Sequence, residues 1–268
     1  MYKPYGLLGD LGMKKGQIKI NKIIHKSSFG FLLAIIFLFN TLTVQAGDAN
    51  TKATAGAGIT YYENGAPYVN ELSDVVDNLP YSVKAMLLND HYVICIVGHN
   101  TDIEQFVYNS YGDQGVQGVC VAYPGQTGIC FGYIYIETDD PDIVSIYNSR
   151  EPQYVKQYGM YEVLRRHKTS VLIHEIGHSI YYHNMIAIPD YENMVAQVYS
   201  AEKSNFYTTL YHTELSYDFD SCYNQYEYFA EAFACYYLYP QELASKCPLT
   251  YQFINNNLSS LNNEFPVP

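Results

Sequence analysis

An α+β fold in two lobes is predicted by three observations along the chain. Runs rich in β-branched and aromatic residues are confined to 91–137, an apolar helical run carries the pentad HEIGH at 174–178, and helical periodicity governs the rest of the chain beyond it. The lobes expected are a small mixed β-sheet lobe ending in the HEIGH helix, residues 47–185, and a helical C-terminal lobe, residues 186–268.

In chain order, the first elements are ELSDVVDNL and YSVKAMLL, two short helices parted at Leu79-Pro80 because a proline disfavours helix in the residue before it. HYVICIV, residues 91–97, is β-rich, stops at Gly98 and reads as a buried strand. Two more strands are expected at 117–123 and 130–137, on either side of the turn signal YPGQTG. Phe131–Glu137, FGYIYIE, is the last strand before the HEIGH helix and the candidate open edge on which an extended peptide would lie, with an ordinary internal strand as the alternative. A polar loop is expected after Asp139-Asp140-Pro141, then the HEIGH helix from about Met160 to Tyr182, closed by Ile188-Pro189. Further helices are expected at 191–204, over EYFAEAFACYY at 227–237 with Asn224 as its cap, and at about 249–262.

The first 46 residues read as a secretory signal peptide. Five lysines between Lys14 and Lys26 lead into the apolar run FGFLLAIIFLF, and Val44-Gln45-Ala46 offers small residues where a signal peptidase cuts. That run is too short to span a bilayer, so the expectation is a secreted, extracellular or periplasmic, protein of one domain over 47–268. Six of the 15 basic residues and one of the 27 acidic ones precede residue 47, which leaves the remainder at −17 with histidines neutral. Nucleic acid and anionic membranes need the opposite sign, so neither is an expected partner; a peptide or protein substrate acted on by a monomer is.

All six cysteines come after Ala46, an even number in an exported chain, which suggests disulfides. Cys120 and Cys130 flank the YPGQTG turn and could face each other across a hairpin, and Cys222 or Cys235 could join Cys247. A cysteine-based metal site has no CxxC pair to support it.

The chemistry is concentrated in HEIGH. Four residues make just over one helical turn, so His174 and His178 lie on one face and can reach a single ion, with Glu175 beside it. Two imidazoles suit Zn2+, and a carboxylate next to a zinc-activated water can take its proton. Val171, Leu172 and Ile173 make the helix a buried one, and Gly177, a poor helix residue, marks close approach of another backbone. A catalytic zinc needs a third protein ligand. The histidine of the extended motif HExxHxxGxxH is absent, because Tyr181 and Asn184 stand at its glycine and histidine positions and His183 is out of register. Glu227 and Glu231, on one face of the EYFAEAF helix, remain as the candidates, one to ligate and one to hydrogen-bond a ligating histidine.

HEIGH, EYFAEAF at 227–233 and TYQFINN at 250–256, in this order, resemble the zinc-metallopeptidase family typified by the catalytic domain of anthrax lethal factor, which also contains secreted Pro-Pro endopeptidases. The resemblance covers roughly residues 69–257 and implies a zincin-like, two-lobed metallopeptidase with one Zn2+ at the lobe junction. It implies His174, His178 and Glu227 as zinc ligands, Glu175 as base, and Glu231 as a support for a ligating histidine. The family also uses a tyrosine, usually seven residues before the ligand glutamate, to support the oxyanion; Asp220 stands there. Tyr217 is the expected substitute, with Tyr223 next and Tyr226 also nearby.

The function these readings lead to is an exported zinc endopeptidase using an activated water and a glutamate base. Two alternatives stay open: an exported zinc-binding or adhesive protein without catalysis, and a zinc hydrolase acting on a non-peptide amide or ester.

Overall fold

The computed structural model describes residues 68–97, 118–124, 130–137, 141–209 and 224–267. The leader expected at 1–46, and Tyr217, Cys222 and Tyr223, lie outside the described residues.

The described residues open with two short helices, α1 (Val69–Asp77) and α2 (Tyr81–Asn89), parted at Pro80 as the proline dictates. Leu72 with Val76, and Val83 with Met86 and Leu87, recur at helical spacing and are buried. β1 (Val93–Val97), β2 (Gly118–Pro124) and β3 (Cys130–Glu137) form a three-stranded sheet in the order β1-β3-β2. β1 runs parallel to β3, with Ile94 opposite Ile134, and β2 antiparallel to it, with Val119 opposite Tyr135, so the sheet is mixed.

This order corrects two expectations. Phe131–Glu137 belongs to the central strand, whose backbone is paired on both sides, so it cannot be the open edge; among the described residues β1 and β2 are the outer strands, and β2 is the one whose Gly118 lies against Glu175. The register also separates Cys120 from Cys130. Cys120 stands opposite Ile134 and Cys130 opposite Pro124, so they are not cross-strand neighbours and a disulfide between them does not fit. Nor are Cys235 and Cys247 joined to each other.

The stretch expected as a polar loop holds two helices, α3 (Pro141–Arg150) and α4 (Pro152–Tyr158). Each begins with a proline, whose fixed φ and missing N–H suit the first helical position. Ile143 and Tyr147, one turn apart, pack with Val163 in a small cluster of their own. α5 (Met160–Ala187) carries HEIGH and outruns its expected end by five residues, stopping where Ile188 turns extended before Pro189.

Among the described residues there follow α6 (Tyr191–Thr209), α7 (Gln225–Leu238), α8 (Pro240–Lys246) and α9 (Pro248–Glu264). Buried Glu202 of α6 accepts hydrogen bonds from Leu249 N–H (3.1 Å), Thr250 N–H (2.8 Å) and Thr250 Oγ1 (2.7 Å), which satisfies donors that the first turn of α9 leaves over. Thr250 Oγ1 also meets Tyr228 of α7 at 2.6 Å. Asn257 Oδ1 accepts from Asn184 of α5 (2.6 Å) and from Tyr191 (2.7 Å). Through Thr250 and Asn257, α9 therefore ties to both α7 and α5. No helix among the described residues is long and apolar enough to cross a membrane.

Candidate metal centre

α5 and α7 approach closely because two small residues meet. A side-chain carbon added to Gly177 would sit 2.9 Å from Ala230 Cα and 3.2 Å from both Ala230 O and Phe233 Cβ, distances a bonded carbon cannot occupy without displacing α7. The start of α7 is fixed as well. Asn224, in extended backbone, accepts Tyr226 N–H at 2.9 Å and Glu227 N–H at 3.0 Å, which places Glu227 in the first turn.

From there Glu227 points at the histidines. Its Oε2 lies 3.2 Å from His174 Nε2 and 3.3 Å from His178 Nε2, and the two Nε2 atoms are 3.0 Å apart. These three side chains form the one group among the described residues whose donor atoms converge as a metal site requires. Glu231, one turn further along α7, reaches the opposite side of the His174 ring, with Oε1 3.3 Å from Nδ1. The two glutamates thus meet different nitrogens of the His174 ring. Glu227 sits where both ligand atoms point, and Glu231 holds the far nitrogen of one imidazole.

Burial alone would strip the proton from His174. The charge of Glu231, hydrogen bonds to Glu227 and Glu231, and the charge of Glu175 outweigh it and hold the imidazole well above its usual range. Burial likewise works to raise Glu227, but His178 and His174 keep its carboxyl well below the usual range. A group so rich in negative charge for its size favours a cation, whether protons on the imidazoles or a metal in their place.

Glu175 is buried at 6% exposure and faces the sheet. Its carboxylate accepts the Cys120 N–H of β2, and burial, opposed by the two histidines, raises its pKa. A buried carboxylate with a pKa moved toward neutrality, beside a candidate metal site, is suited to accept a proton and return it. Tyr182, one turn beyond His178, is half-buried; burial and then the charges of Cys120, Glu227, Tyr226 and Glu175 push its phenol above the ordinary range.

Of the three tyrosines read as oxyanion supports, Tyr226 alone is described, and its hydroxyl donates to Glu192 of α6 at 2.9 Å, on the surface rather than toward the histidines. Tyr217 and Tyr223 lie outside the described residues. His183, out of register as a ligand, is used elsewhere: its Nδ1 is 2.7 Å from Asp90 and its Nε2 3.2 Å from Glu264. The sequence alone did not reveal β2 as a neighbour of Glu175. Gly118 inside a strand was the available signal, since such glycines mark close backbone approach.

The family model described as anthrax toxin lethal factor, N- and C-terminal domain, matches residues 140–257. The matched stretch contains His174, Glu175, His178, Glu227 and Glu231 and begins after β3, so the likeness covers the helices that carry the site. A search of curated proteins returns no match.

Proposed function

We propose that this chain is an exported zinc endopeptidase whose single ion is held by His174, His178 and Glu227. One observation carries the reading: the Nε2 atoms of His174 and His178 and Oε2 of Glu227 lie 3.0–3.3 Å from each other, with buried Glu175 alongside. The donors are two imidazoles and one carboxylate, the ligand set and number of a hydrolytic zinc that keeps a position open. The likeness to the lethal factor family over 140–257 supports the same metal, and the apolar run before Val44-Gln45-Ala46 supports export. A peptide or protein is the substrate class, and the chain acts as a monomer.

Zinc so held would supply Lewis acidity toward a substrate carbonyl and would acidify a water. Glu175 takes that water's proton at its carboxylate and delivers it to the leaving amine. Glu231 fixes the His174 ring through Nδ1 and leaves Nε2 for the ion. An extended substrate pairs along the open edge of β2, in place of the central β3. Tyr217 supports the oxyanion.

The test is metal analysis coupled to cleavage of an unbiased peptide library. The expected result is about one zinc per chain, loss of cleavage on chelation and recovery on adding zinc. Cleavage that survives complete chelation, or a zinc-loaded chain that cleaves esters or cell-wall amides but no peptide, would contradict the reading.

A further inference from the structure

The second glycine at the site lies in β2. A side-chain carbon on Gly118 would fall 2.6 Å from Val171 Cγ1 and 3.0 Å from both Cγ and Oε1 of Glu175. The first distance is far inside van der Waals contact, and the other two are tight enough that the carboxylate would have to shift by a few tenths of an ångström. Two residues along the same strand, Cys120 gives its N–H to that carboxylate. β2 therefore meets Glu175 at two points, an amide that binds one side of the carboxylate and a bare α-carbon that leaves space for the other.

We propose that Gly118 is a positioning residue for Glu175: its missing side chain lets β2 come close enough for the Cys120 amide to hold the carboxylate in place. The naming of Glu175 as base rests on the function proposed above; the positioning itself does not. The physical reasoning is steric. Val171 and Glu175 are one turn apart on α5 and both face Gly118, so a methyl group there pushes the strand off the helix or swings Glu175 aside. Either movement lengthens the amide bond to the carboxylate. A carboxylate displaced by about 1 Å from the reacting water loses about a hundredfold in rate, while zinc held by other side chains stays.

Two measurements test this. In the metal-free protein, amide hydrogen exchange at Cys120 is compared in wild type, Gly118→Ala and Glu175→Ala. Loss of the bond is expected to speed exchange at Cys120 about tenfold in both variants, with Val119 and Val121 unchanged. In the zinc-loaded protein, Gly118→Ala is expected to keep its zinc and a KM within about twofold of wild type while kcat falls about a hundredfold. If Gly118→Ala does not fold, Gly118→Ala with Val171→Ala, which removes the 2.6 Å contact, carries both measurements. Unchanged Cys120 exchange in Glu175→Ala, an exchange rise shared by every β2 amide, or an unchanged kcat in Gly118→Ala overturns the proposal. A wild type that cleaves no peptide overturns the peptidase reading alone, because the exchange result still decides whether Gly118 positions Glu175.

Discussion

Glu227 and Glu231 are one turn apart on α7, yet they touch opposite nitrogens of the same imidazole, His174 Nε2 and Nδ1. Under the function proposed above, that difference of a few ångströms makes Glu227 a ligand and Glu231 a support. Removing a ligand leaves two imidazoles with an incomplete set, whereas removing the support lets a ring rotate that still has its ligating atom. Glu227→Ala is therefore expected to abolish stoichiometric zinc binding, and Glu231→Ala to weaken it by about 10–100-fold. Competition against a chelator of known affinity measures both, and equal losses would contradict the division.

At the scale of elements, the site is a contact between helix, helix and strand, and each contact is set by something small. Gly177 admits α7, Gly118 admits β2, and Asn224 decides where α7 begins. The cap matters to function because the turn it closes is the turn carrying Glu227. Asn224→Ala is expected to cost about 1 kcal/mol of stability and to loosen zinc along with it, since a frayed first turn no longer presents the carboxylate to both imidazoles. Thermal unfolding with and without zinc checks this; a variant that loses stability but binds zinc as tightly as wild type would place Glu227 outside the cap's influence. Asn224 and Gly177 were both legible in the sequence, one as a favoured cap before an apolar helix and the other as a glycine where helix propensity argues against one. Strand order was not, because FGYIYIE alternates and runs apolar in the same way whether its neighbours are one strand or two. The helices at 141–158 were hidden for a related reason: their surfaces are mostly polar, and the Ile143–Tyr147 pair that anchors them closes a cluster apart from the main core.

For the molecule as a whole, the far end of α5 is tied to the end of α2 and to the end of α9. His183 joins buried Asp90, which caps α2, to Glu264 at the end of α9. Burial pulls the His183 pKa down, but the hydrogen bond and charge of Asp90, and then those of Glu264, outweigh it and leave the pKa raised. A histidine raised on folding contributes stability that is complete below its unfolded value near 6.5 and is lost as pH rises through the folded value. Breaking the pair with Asp90→Asn is thus expected to cost about 3 kcal/mol near pH 6 and progressively less at alkaline pH. Denaturant unfolding of both proteins across that range reads the difference, and a gap that widened with pH would reverse the assignment. No motif announced this clamp, since Asp90 and Glu264 are 174 positions apart in sequence and their meeting comes from the packing of α2 and α9 beside α5.

Proton transfer by the buried carboxylate beside the two histidines, with other residues holding the metal, is read from the cleavage rate of zinc-loaded Glu175→Gln on a peptide library. Glutamine keeps the size and the acceptor for the Cys120 amide but cannot take a proton. The expected result is full zinc content with cleavage reduced by about 10²–10⁴-fold. Cleavage at the wild-type rate by Glu175→Gln would contradict the account.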